Sequence, residues 1–307
     1  MARGSMVWWN GSIVPEEKAR ISLFTHGLHY GVGAFEGIRV YRQNDGGSAV
    51  FRLREHIERL FNSMKIVGFE IPYKVDELVQ AAIDTTKACK FDECYLRPIV
   101  FTGNGPLGVD PGPNPPLDVA ILVWEWGKYL GDRGVQEGAR LKISSYLRPH
   151  VNSSLTKAKA TGQYLTGVVA KREALAKGYD EALLLDTNGF LSEGSGENIF
   201  IVNKGVVKTT PLTSILAGIT RATVIEHLRH KGITVEEQLF TRDEVYCADE
   251  VFLTGTAAEI TPVQSVDDRK IGAGKPGPVT LQLFKEYNSM VRGDLPSYAR
   301  GWLTPVR

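Results

Sequence analysis

The sequence is poor in cysteine and carries no excess of either charge. Its three cysteines, Cys89, Cys94 and Cys247, are odd in number and lack the spacing of a metal site, which argues against a disulfide framework or a bound metal and for a reducing compartment. They are interpreted most simply as small buried apolar residues. Lys and Arg number 36 against 35 Asp and Glu, a net charge of +1, so no global field would draw the chain to nucleic acid or an acidic membrane.

Long hydrophobic runs are missing too. No stretch reaches the roughly 18 consecutive apolar residues of a membrane span, and residues 1–9 lack the long hydrophobic core of a signal peptide. We therefore expect a cytoplasmic protein whose partners are small molecules or copies of itself, with no nucleic acid and no membrane. Residues 1–5 resemble a start-site extension ahead of Met6, and they are left out of the fold prediction.

What the sequence does contain is typical of a folded chain. Of its 307 residues, 43% are hydrophobic and 23% are charged, and globular domains average about 25% charged residues. The length predicts two domains or one large domain. Strand and helix signals alternate without a fixed repeat, which predicts an α+β (mixed α/β) chain of two domains, with the glycine-rich segment 126–138 as the connection.

Turn signals and apolar periodicity predict the elements of the first half. Asn10-Gly11 and residues 44–47 stand between apolar runs, the signature of β-hairpins. Between Glu55 and Val67, apolar residues recur every three or four positions, so a helix that ends near Gly68 is predicted. Further expectations are a helix over 75–90, strands near 94–101 and 117–124, and a long loop over 103–116.

The second half is expected to open with a strand and to continue as a meander between helices. Asn188-Gly189 and residues 203–205 are turn signals between its strands, and Thr241 to Glu244 form a capping box that opens a short helix. The predicted strands are 141–146, 182–185, 190–191, 199–202 and 251–254; the predicted helices are 164–177 and 221–230; a polar loop is predicted over 149–161.

Three polar turns in the second half contain glycine and stand at the ends of strands or the starts of helices. They are residues 192–198, 216–221 and 254–259. Backbone N–H groups at a helix N-terminus bind anions, and glycine lets the backbone approach closely. Residues 218–220 and 255–257 could therefore cradle one phosphate together, although each motif taken singly is more often only a turn.

Two further pairs of residues could take part in catalysis or substrate binding. Lys157 and Lys159 lie in the polar loop, and a partly desolvated lysine can form a Schiff base with a carbonyl cofactor, but spacing alone does not choose between them. Tyr95 and Arg97 are two apart on a predicted strand, so both side chains point to one face. A phenol and a guanidinium together suit a carboxylate.

The motifs taken together resemble the class IV aminotransferases, specifically the branched-chain amino acid aminotransferases. The resemblance covers nearly the whole chain after Met6 and keeps the family's order. It rests on His29-Tyr30-Gly31, Phe35-Glu36-Gly37-Ile38-Arg39, Phe51-Arg52-Leu53 through Arg59-Leu60, and the segments 159–164, 186–198, 216–221 and 248–262.

The resemblance implies a pyridoxal 5'-phosphate (PLP) enzyme. Lys159 would be the Schiff-base lysine, which also moves a proton between substrate Cα and cofactor C4', and Lys157 would be its solvated neighbour. Glu193 would keep the pyridinium nitrogen protonated so that the ring acts as an electron sink, and Tyr164, one helical turn beyond Lys159, would bind the phenolate oxygen. The implied cofactor-binding residues are Arg59, Lys159, Tyr164, Glu193, Gly196, Ile219, Thr220 and Thr256, of which Arg59, Ile219, Thr220 and Thr256 would hold the phosphate.

For Arg59 an ordinary alternative exists, an exposed i,i+4 ion pair with Glu55 worth roughly 0.3 to 0.5 kcal/mol. For the aromatic residues the alternative is core packing. In the family, the residue matching Tyr95 and the N–H groups of Thr256-Ala257 hold the α-carboxylate, while Arg97 takes the γ-carboxylate of glutamate. The implied substrate-binding residues are Tyr30, Phe35, Tyr95, Arg97, Leu107, Val109, Trp126, Tyr129 and Ala257; Tyr164 would also line the side-chain pocket, and Tyr30, Leu107 and Val109 would come from a neighbouring subunit.

The fold implied by the resemblance is fold type IV, with a smaller α/β domain over 6–125, a loop over 126–139 and a larger PLP-binding domain over 140–307. The active site would lie between the domains of a homodimer. The implied reaction transfers the amino group of L-leucine, L-isoleucine or L-valine to 2-oxoglutarate by a ping-pong mechanism.

Alternatives stay open at this point. A D-amino acid or (R)-amine transaminase and 4-amino-4-deoxychorismate lyase share the fold, and a cofactor-free binding protein would be the non-enzymatic case. Tyr95-Leu96-Arg97 favours the branched-chain reaction, and the intact Lys159, Tyr164, Glu193 and Thr256 disfavour a decayed site. Pro106, in a loop that reaches the partner's site in the family, leaves the range of side chains open.

Overall fold

The structure, a computed structural model, describes residues 2–127 and 136–307. The contacts of the chain divide it into two units. Within the described residues, unit 1 comprises 2–127, 158–163 and 289–307, and unit 2 comprises 136–157 and 164–288. The domain boundaries given above remain a prediction. No sequence signal indicated that residues 158–163 and the C-terminal segment group with unit 1.

Strands and helices alternate along the chain, and the mixed α+β class is confirmed. The strands are β1 (Met6–Trp9), β2 (Ser12–Pro15), β3 (Gly33–Phe35), β4 (Ile38–Arg42), β5 (Ser48–Phe51), β6 (Cys94–Thr102), β7 (Leu117–Trp124), β8 (Ala139–Ile143), β9 (Glu181–Leu185), β10 (Leu191–Gly194), β11 (Asn198–Asn203), β12 (Val206–Thr209), β13 (Val235–Glu237), β14 (Glu250–Gly255), β15 (Glu259–Val266), β16 (Arg269–Lys270) and β17 (Leu303–Pro305). The α-helices are α1 (His26–Tyr30), α2 (Leu53–Val67), α3 (Val75–Cys89), α4 (Tyr164–Ala176), α5 (Ile219–His230), α6 (Arg242–Tyr246) and α7 (Pro278–Val291).

Unit 1 is built on one antiparallel sheet. Strands β17, β5, β4, β6, β7, β1 and β2 pair in that order, and β3 pairs with β6. Both predicted hairpins are confirmed. In the first, Asn10 has φ 45° and Gly11 has φ 100°, the left-handed pair that a two-residue type I' turn requires.

Two helices of unit 1 bury their apolar residues in the core on which this sheet packs. Of the apolar residues whose three- and four-residue spacing predicts helix α2, Ile57, Leu60 and Met64 are completely buried and Phe61 is half-buried against the same core. Gly68, with φ 101°, ends the helix in the left-handed conformation. The helix begins two residues earlier than predicted. Helix α3 matches the prediction to one residue, and the loop 103–116 is confirmed.

Residues 2–5 belong to the fold, so the expectation that they stand outside it is wrong. Arg3 pairs with Trp124 as an isolated β-bridge. The Gly4 N–H donates to the Val123 carbonyl at 2.8 Å. A Cβ at position 4 would lie 2.7 Å from Cys89 Sγ, so only glycine fits there without a shift of the neighbouring side chain.

Unit 2 is built on a second, mixed sheet. Strands β10, β9, β8, β15, β14, β11, β12 and β13 pair in that order, and β16 pairs with β15. Strand β8 is parallel to both β9 and β15. The predicted strand 141–146 ends instead at Ile143. The chain turns there because the Ser144 hydroxyl accepts the Tyr146 N–H at 3.1 Å.

The helices of unit 2 begin and end close to the predicted residues. Helix α4 is followed by Gly178 at φ 80°, and α5 begins two residues early, with Gly218 as its N-cap. The capping box before α6 is confirmed, with the Thr241 N–H donating to Glu244 at 3.0 Å. Helix α7 had not been predicted.

The predicted turn over 192–198 is wrong in its first half. Ser192, Glu193 and Gly194 belong to β10, and only residues 195–197 turn. Glycine and polar residues suggested a turn, but Glu193 and Gly194 pair with Leu184 and Leu183 of β9, and such pairing overrides local preference.

The structure also bears on the scarcity of long hydrophobic runs and of cysteine in the sequence. No helix in the described parts of the chain is long and apolar enough to cross a membrane. Cys94 is buried and Cys89 half-buried, but Cys247 is exposed, so the prediction of three buried thiols is wrong for Cys247. Burial raises the pKa of Cys94 to about 12.

Candidate active site

Lys159 lies in an extended segment beside β3. Its carbonyl accepts the Phe35 N–H at 3.0 Å, its own N–H donates to Ser63 Oγ at 2.9 Å, and the next residue, Ala160, forms a bridge with Ala34. A 3₁₀ turn over Thr161–Gln163 precedes α4, which begins at Tyr164. The expectation that Tyr164 lies one α-helical turn beyond Lys159 is therefore wrong, because Lys159 pairs with a strand.

The Lys159 ammonium faces an aromatic ring. Its Nζ lies 5.0 Å from the centroid of Phe35, and the Arg97 guanidinium carbon lies 4.6 Å from the same ring. Distances of this size allow cation–π attraction for both cations. Lys157 belongs to unit 2 and stays exposed, as predicted. Partial burial still lowers the pKa of Lys157, and its Nζ is 3.5 Å from the Ile215 carbonyl.

Tyr95 and Arg97 share one face of β6, which confirms the prediction from their spacing. The Arg97 guanidinium carbon lies 5.7 Å from the Tyr95 ring and 5.4 Å from that of Trp124. Trp126 lies 4.7 Å from Tyr95 and 5.5 Å from Trp124. We call Phe35, Tyr95, Trp124 and Trp126 the aromatic cluster. Trp124 carried no signal in the sequence that marked it as a site residue.

The charge of Arg97 has no protein counter-ion in the part of the chain that the structure describes. Its Nε is buried and has no hydrogen-bond partner there. A guanidinium remains protonated in proteins. The aromatic cluster thus surrounds a permanent positive charge that is available to an anion from outside the chain.

Gly37 makes room for Tyr95. A Cβ at position 37 would overlap the Tyr95 hydroxyl, so the phenol lies directly against the backbone between β3 and β4. The sequence shows Gly37 in a motif but not the reason for it, because the Tyr95 side chain reaches it from another strand.

Arg59 is held by a buried acid. Its Nε and one Nη donate to the two carboxylate oxygens of Glu36 at 2.6 and 2.8 Å. His56 Nδ1 lies 2.7 Å from the same carboxylate, and Glu36 is completely buried. We call these three residues the Glu36 network. The exposed pair with Glu55 is not what the structure shows, since Arg59 is largely buried and Glu55 binds Arg52 at 2.8 Å.

Burial and charge set the protonation of this network. Burial by itself raises the pKa of Glu36, but Arg59 and His56 outweigh it and hold the pKa of Glu36 well below its ordinary value. Burial lowers the pKa of His56, although Glu36 opposes the change. At neutral pH, therefore, Arg59 is the cation that balances Glu36, and His56 is a neutral donor.

In unit 2, Glu193 is a buried carboxylate that binds Arg148, Asn198 and a backbone N–H. Arg148 Nη2 lies 2.9 Å from its Oε1. Its Oε2 accepts Asn198 Nδ2 and the Leu216 N–H, both at 3.2 Å. A carboxylate accepts hydrogen bonds through both of its oxygens, and each oxygen of Glu193 has such a donor. Sequence reasoning missed Arg148, which is far from Glu193 in the chain, and Asn198, which closes the same motif.

Beside Glu193 lies a second buried acid, Glu197. Burial and the charge of Glu181 raise the pKa of Glu197 to about 8. Glu181 itself is held by Lys171 Nζ at 2.5 Å and by the Ser195 hydroxyl at 2.6 Å. The Gly196 N–H donates to Glu197 at 3.1 Å, which ties this predicted site residue to the acid next to it.

The N-terminus of α5 is suited to an anion. Gly218 is its N-cap, no side chain caps it within the described residues, and its first turn holds no acidic residue. The N–H groups of Ile219 and Thr220 stand at the positive end of a 12-residue helix. Thr256 and Ala257 lie in the turn between β14 and β15, at the end of a strand as expected.

The remaining predicted residues lie on loops and helix ends. Tyr30, Leu107 and Val109 are exposed on unit 1. The Tyr30 hydroxyl donates to the Leu107 carbonyl at 2.7 Å, which ties the loop containing Pro106 to α1. Tyr164 is half-buried at the start of α4, and Tyr129 lies outside the described residues.

Comparison with known proteins gives consistent matches. The model of the family described as amino-transferase class IV matches residues 33–266. The branched-chain-amino-acid aminotransferase of Pseudomonas aeruginosa is 43% identical over 305 residues, 99% of this chain and 98% of that protein. The solved structure of the T.th. branched-chain amino acid aminotransferase with pyridoxamine 5'-phosphate is 46% identical, with a TM-score of 0.96 and all of both chains covered. A second structure of that protein, complexed with N-(5'-phosphopyridoxyl)-L-glutamate, is 44% identical, with a TM-score of 0.93 and again all of both chains covered.

Proposed function

Since this chain belongs to the class IV aminotransferases, a fold type IV family that uses PLP, we propose that it is a branched-chain amino acid aminotransferase. It moves the amino group of L-leucine, L-isoleucine or L-valine to 2-oxoglutarate by a ping-pong mechanism. The observation that carries this proposal is Arg97 in the aromatic cluster. The rings offer apolar surface to a branched side chain, and the guanidinium, which has no counter-ion among the described residues, offers a charge to the distal carboxylate of glutamate.

Each unit, taken by itself, contains groups of the kind that bind PLP. Unit 1 supplies a lysine whose amine faces Phe35. Unit 2 supplies the uncapped N-terminus of α5 for a phosphate and the buried Glu193 for a ring nitrogen. Bound PLP contributes a carbonyl carbon that condenses with amines and a pyridinium ring that accepts an electron pair.

The chain's own groups then move and hold protons. With PLP bound, the Lys159 amine would transfer a proton between substrate Cα and cofactor C4'. Phe35 and Ser63 hold the extended segment by hydrogen bonds to the Lys159 backbone, so the backbone that carries the amine is fixed in place. Glu193, paired with Arg148, holds the proton on the pyridine nitrogen, and the Tyr164 hydroxyl binds the phenolate oxygen.

We assign the phosphate to Arg59, Ile219, Thr220 and Thr256. Arg59 reaches it from a fixed position, because Glu36 holds the guanidinium by two hydrogen bonds. Ile219 and Thr220 contribute N–H groups, and the Gly196 backbone lies in the turn beside Glu193. A phosphate held in this way fixes the ring relative to the lysine.

Substrate recognition divides between two carboxylate sites and one apolar pocket. Tyr95 and the N–H groups of Thr256 and Ala257 bind the α-carboxylate, and Arg97 binds the γ-carboxylate of glutamate. The pocket for the branched side chain consists of Phe35, Trp126, Tyr129 and Tyr164, with Tyr30, Leu107 and Val109 contributed by a partner subunit.

The homodimer and the cytoplasmic location belong to the same proposal. Leu23, Phe24, Leu28 and Val109 are exposed apolar side chains on unit 1, and Val109 is 84% exposed. Exposed apolar surface of this kind marks interaction sites, which supports a second copy as the partner. Amino acids and 2-oxo acids are the other partners. The division into domains over 6–125 and 140–307 is likewise proposed.

The test is a screen of half-reactions. The purified protein is mixed with PLP, and the absorbance of the bound cofactor is followed separately with L-leucine, L-glutamate, D-alanine and (R)-1-phenylethylamine. Rapid bleaching by L-leucine and L-glutamate alone is expected. Bleaching mainly by D-alanine or the amine would assign the chain to another activity of the family.

Lys159→Ala tests the assignment of Lys159 as the Schiff-base lysine. We expect this variant to fold and to lose transamination completely, with no cofactor absorbance of the covalently bound type. The variant Lys157→Ala, in which an exposed neighbour is changed, is the matched comparison and should retain the reaction. Retained activity in Lys159→Ala would contradict the assignment.

A further inference from the structure

The half-buried charge of Arg97 must be stabilised with both kinds of substrate that the proposed reaction uses. Its guanidinium is half-buried and unpaired among the described residues, and taking a charge out of water without a partner is unfavourable. When glutamate is the substrate, a carboxylate can pair with it. When leucine is the substrate, the same guanidinium faces an aliphatic side chain, and something else must stabilise the charge.

The aromatic cluster supplies that stabilisation. The guanidinium carbon lies 4.6 Å from the Phe35 ring, 5.7 Å from that of Tyr95 and 5.4 Å from that of Trp124. Each ring presents a negative face that attracts a cation within about 6 Å. Unlike a carboxylate, a ring does not compete with the substrate for the hydrogen bonds of the guanidinium.

Trp124 is placed in the cluster by strand pairing. It lies directly opposite Tyr95 in the register of β6 and β7, and the next position that points to the same face of β6 is Arg97. Its ring also lies 5.5 Å from that of Trp126. Trp124 therefore touches both the charged and the apolar part of the proposed pocket.

The other two rings around Arg97 have additional tasks. Phe35 also faces the Lys159 ammonium at 5.0 Å, and Tyr95 is assigned to the α-carboxylate. Trp is also the best of the three aromatic residues at attracting a cation. Within the described residues, Trp124 is thus the ring of the cluster that faces Arg97 and no other charged side chain.

We propose that Trp124 is a positioning residue for Arg97. Its ring holds the guanidinium in place for a distal carboxylate, while Phe35 and Tyr95 suffice to stabilise the charge when an aliphatic side chain occupies the site. Trp124 would thereby set how strongly the site prefers dicarboxylate over branched aliphatic substrates. This inference rests on the proposed function, because it assumes that both substrate classes use this site.

The experiment measures the binding of two inert acids to the PLP-loaded protein. Glutarate carries a distal carboxylate, and 4-methylvalerate carries a branched aliphatic end in its place. Their dissociation constants are measured by titration of the cofactor absorbance for the wild type, Trp124→Leu and Trp124→Phe. The leucine variant removes the aromatic face, and the phenylalanine variant retains one.

Trp124→Leu should weaken glutarate binding about 5- to 30-fold, the range expected for a partly desolvated cation–π contact. It should change 4-methylvalerate binding by less than about twofold, and Trp124→Phe should keep glutarate within about threefold of the wild type. The glutamate KM should rise in Trp124→Leu with little change in kcat, because the lost contact is made in both ground and transition states.

Coupling to Arg97 is tested with a double-mutant cycle. In an Arg97→Ala background, Trp124→Leu should no longer affect glutarate binding. Equal weakening of both acids, or the same loss of glutarate with and without Arg97, would show that Trp124 only packs, and would overturn the proposal. A wild type that fails to react with L-leucine would instead contradict the proposed function, while the cycle with glutarate would still report on Trp124 and Arg97.

Discussion

Arg59 and Arg97 lie in the same unit and illustrate two ways in which a fold can treat a buried or half-buried guanidinium. Arg59 donates two hydrogen bonds to the completely buried Glu36. Arg97 has three aromatic rings around it and no counter-ion in the described chain. The first arrangement fixes a side chain permanently, and its loss should affect folding. The second leaves a charge available to ligands that come and go, and its loss should affect selectivity.

The largest effect should come from the removal of the acid that holds Arg59. Glu36→Ala removes the carboxylate that binds Arg59, and breaking a buried pair in this way costs about 3 to 5 kcal/mol of unfolding free energy. Urea unfolding measures the change. Glu36→Gln keeps the volume and removes only the charge, so most of the loss should persist in it. Arg97→Ala should cost less than about 1 kcal/mol, since no buried partner is left behind. Equal losses of unfolding free energy in Glu36→Ala and Arg97→Ala would contradict the difference drawn between the two arginines.

The next effect concerns selectivity. Arg97→Ala should lower kcat/KM for L-glutamate about 10- to 100-fold, because hydrogen bonds to a charged group contribute about 1.5 to 3 kcal/mol. The value for L-leucine should fall much less, as its side chain has no carboxylate. Steady-state kinetics with each amino acid at saturating oxo acid measures both. Similar losses for the two substrates would contradict the role assigned to Arg97.

Acid should weaken the Glu36 network in two steps. The pKa of His56 is lowered from 6.5 by burial, so below pH 6.5 the unfolded chain binds a proton that the folded chain does not. Stability is therefore highest above pH 6.5 and falls as the pH decreases toward the lowered pKa, by at most about 1.4 kcal/mol per pH unit. The pKa of Glu36 is lowered from 4.5, so a second loss begins below about that pH.

The two steps can be separated with His56→Asn, which keeps a donor for Glu36 but does not titrate. This variant should flatten the dependence of the urea midpoint between pH 6.5 and 5 and keep the loss below pH 4.5. An unchanged slope between pH 6.5 and 5 would show that His56 is not the group that titrates there.

The sequence predicts some parts of this molecule and not others. Signals that act over a few residues predicted well: the Asn10-Gly11 turn, the helix end at Gly68, the capping box at Thr241, and the common face of Tyr95 and Arg97. In each case the physical cause lies within the motif, in a backbone conformation or in the two-residue period of a strand.

What the sequence did not predict depends on tertiary contacts. Arg59 is 23 positions from Glu36 in the chain, and the spacing instead suggested the nearby Glu55. Arg148 and Glu193 meet only because the loop after β8 returns to β10. Glu193 itself was expected in a turn but is in a strand. The Schiff-base assignment of Lys159 came from a family resemblance, since no local property separated it from Lys157.

The smallest effect should come from the pair that local spacing did suggest as a partner for Arg59. Glu55 binds Arg52 at 2.8 Å with its side chain 36% exposed, and Arg52 keeps a second contact, 4.5 Å from the Trp302 ring. Water can replace the carboxylate there, so Glu55→Ala should cost less than about 1 kcal/mol in urea unfolding. Glu36 and Glu55 both accept hydrogen bonds from an arginine of α2 or its N-cap, and they differ mainly in burial. A loss at Glu55 as large as that at Glu36 would therefore mean that burial does not decide the strength of these pairs.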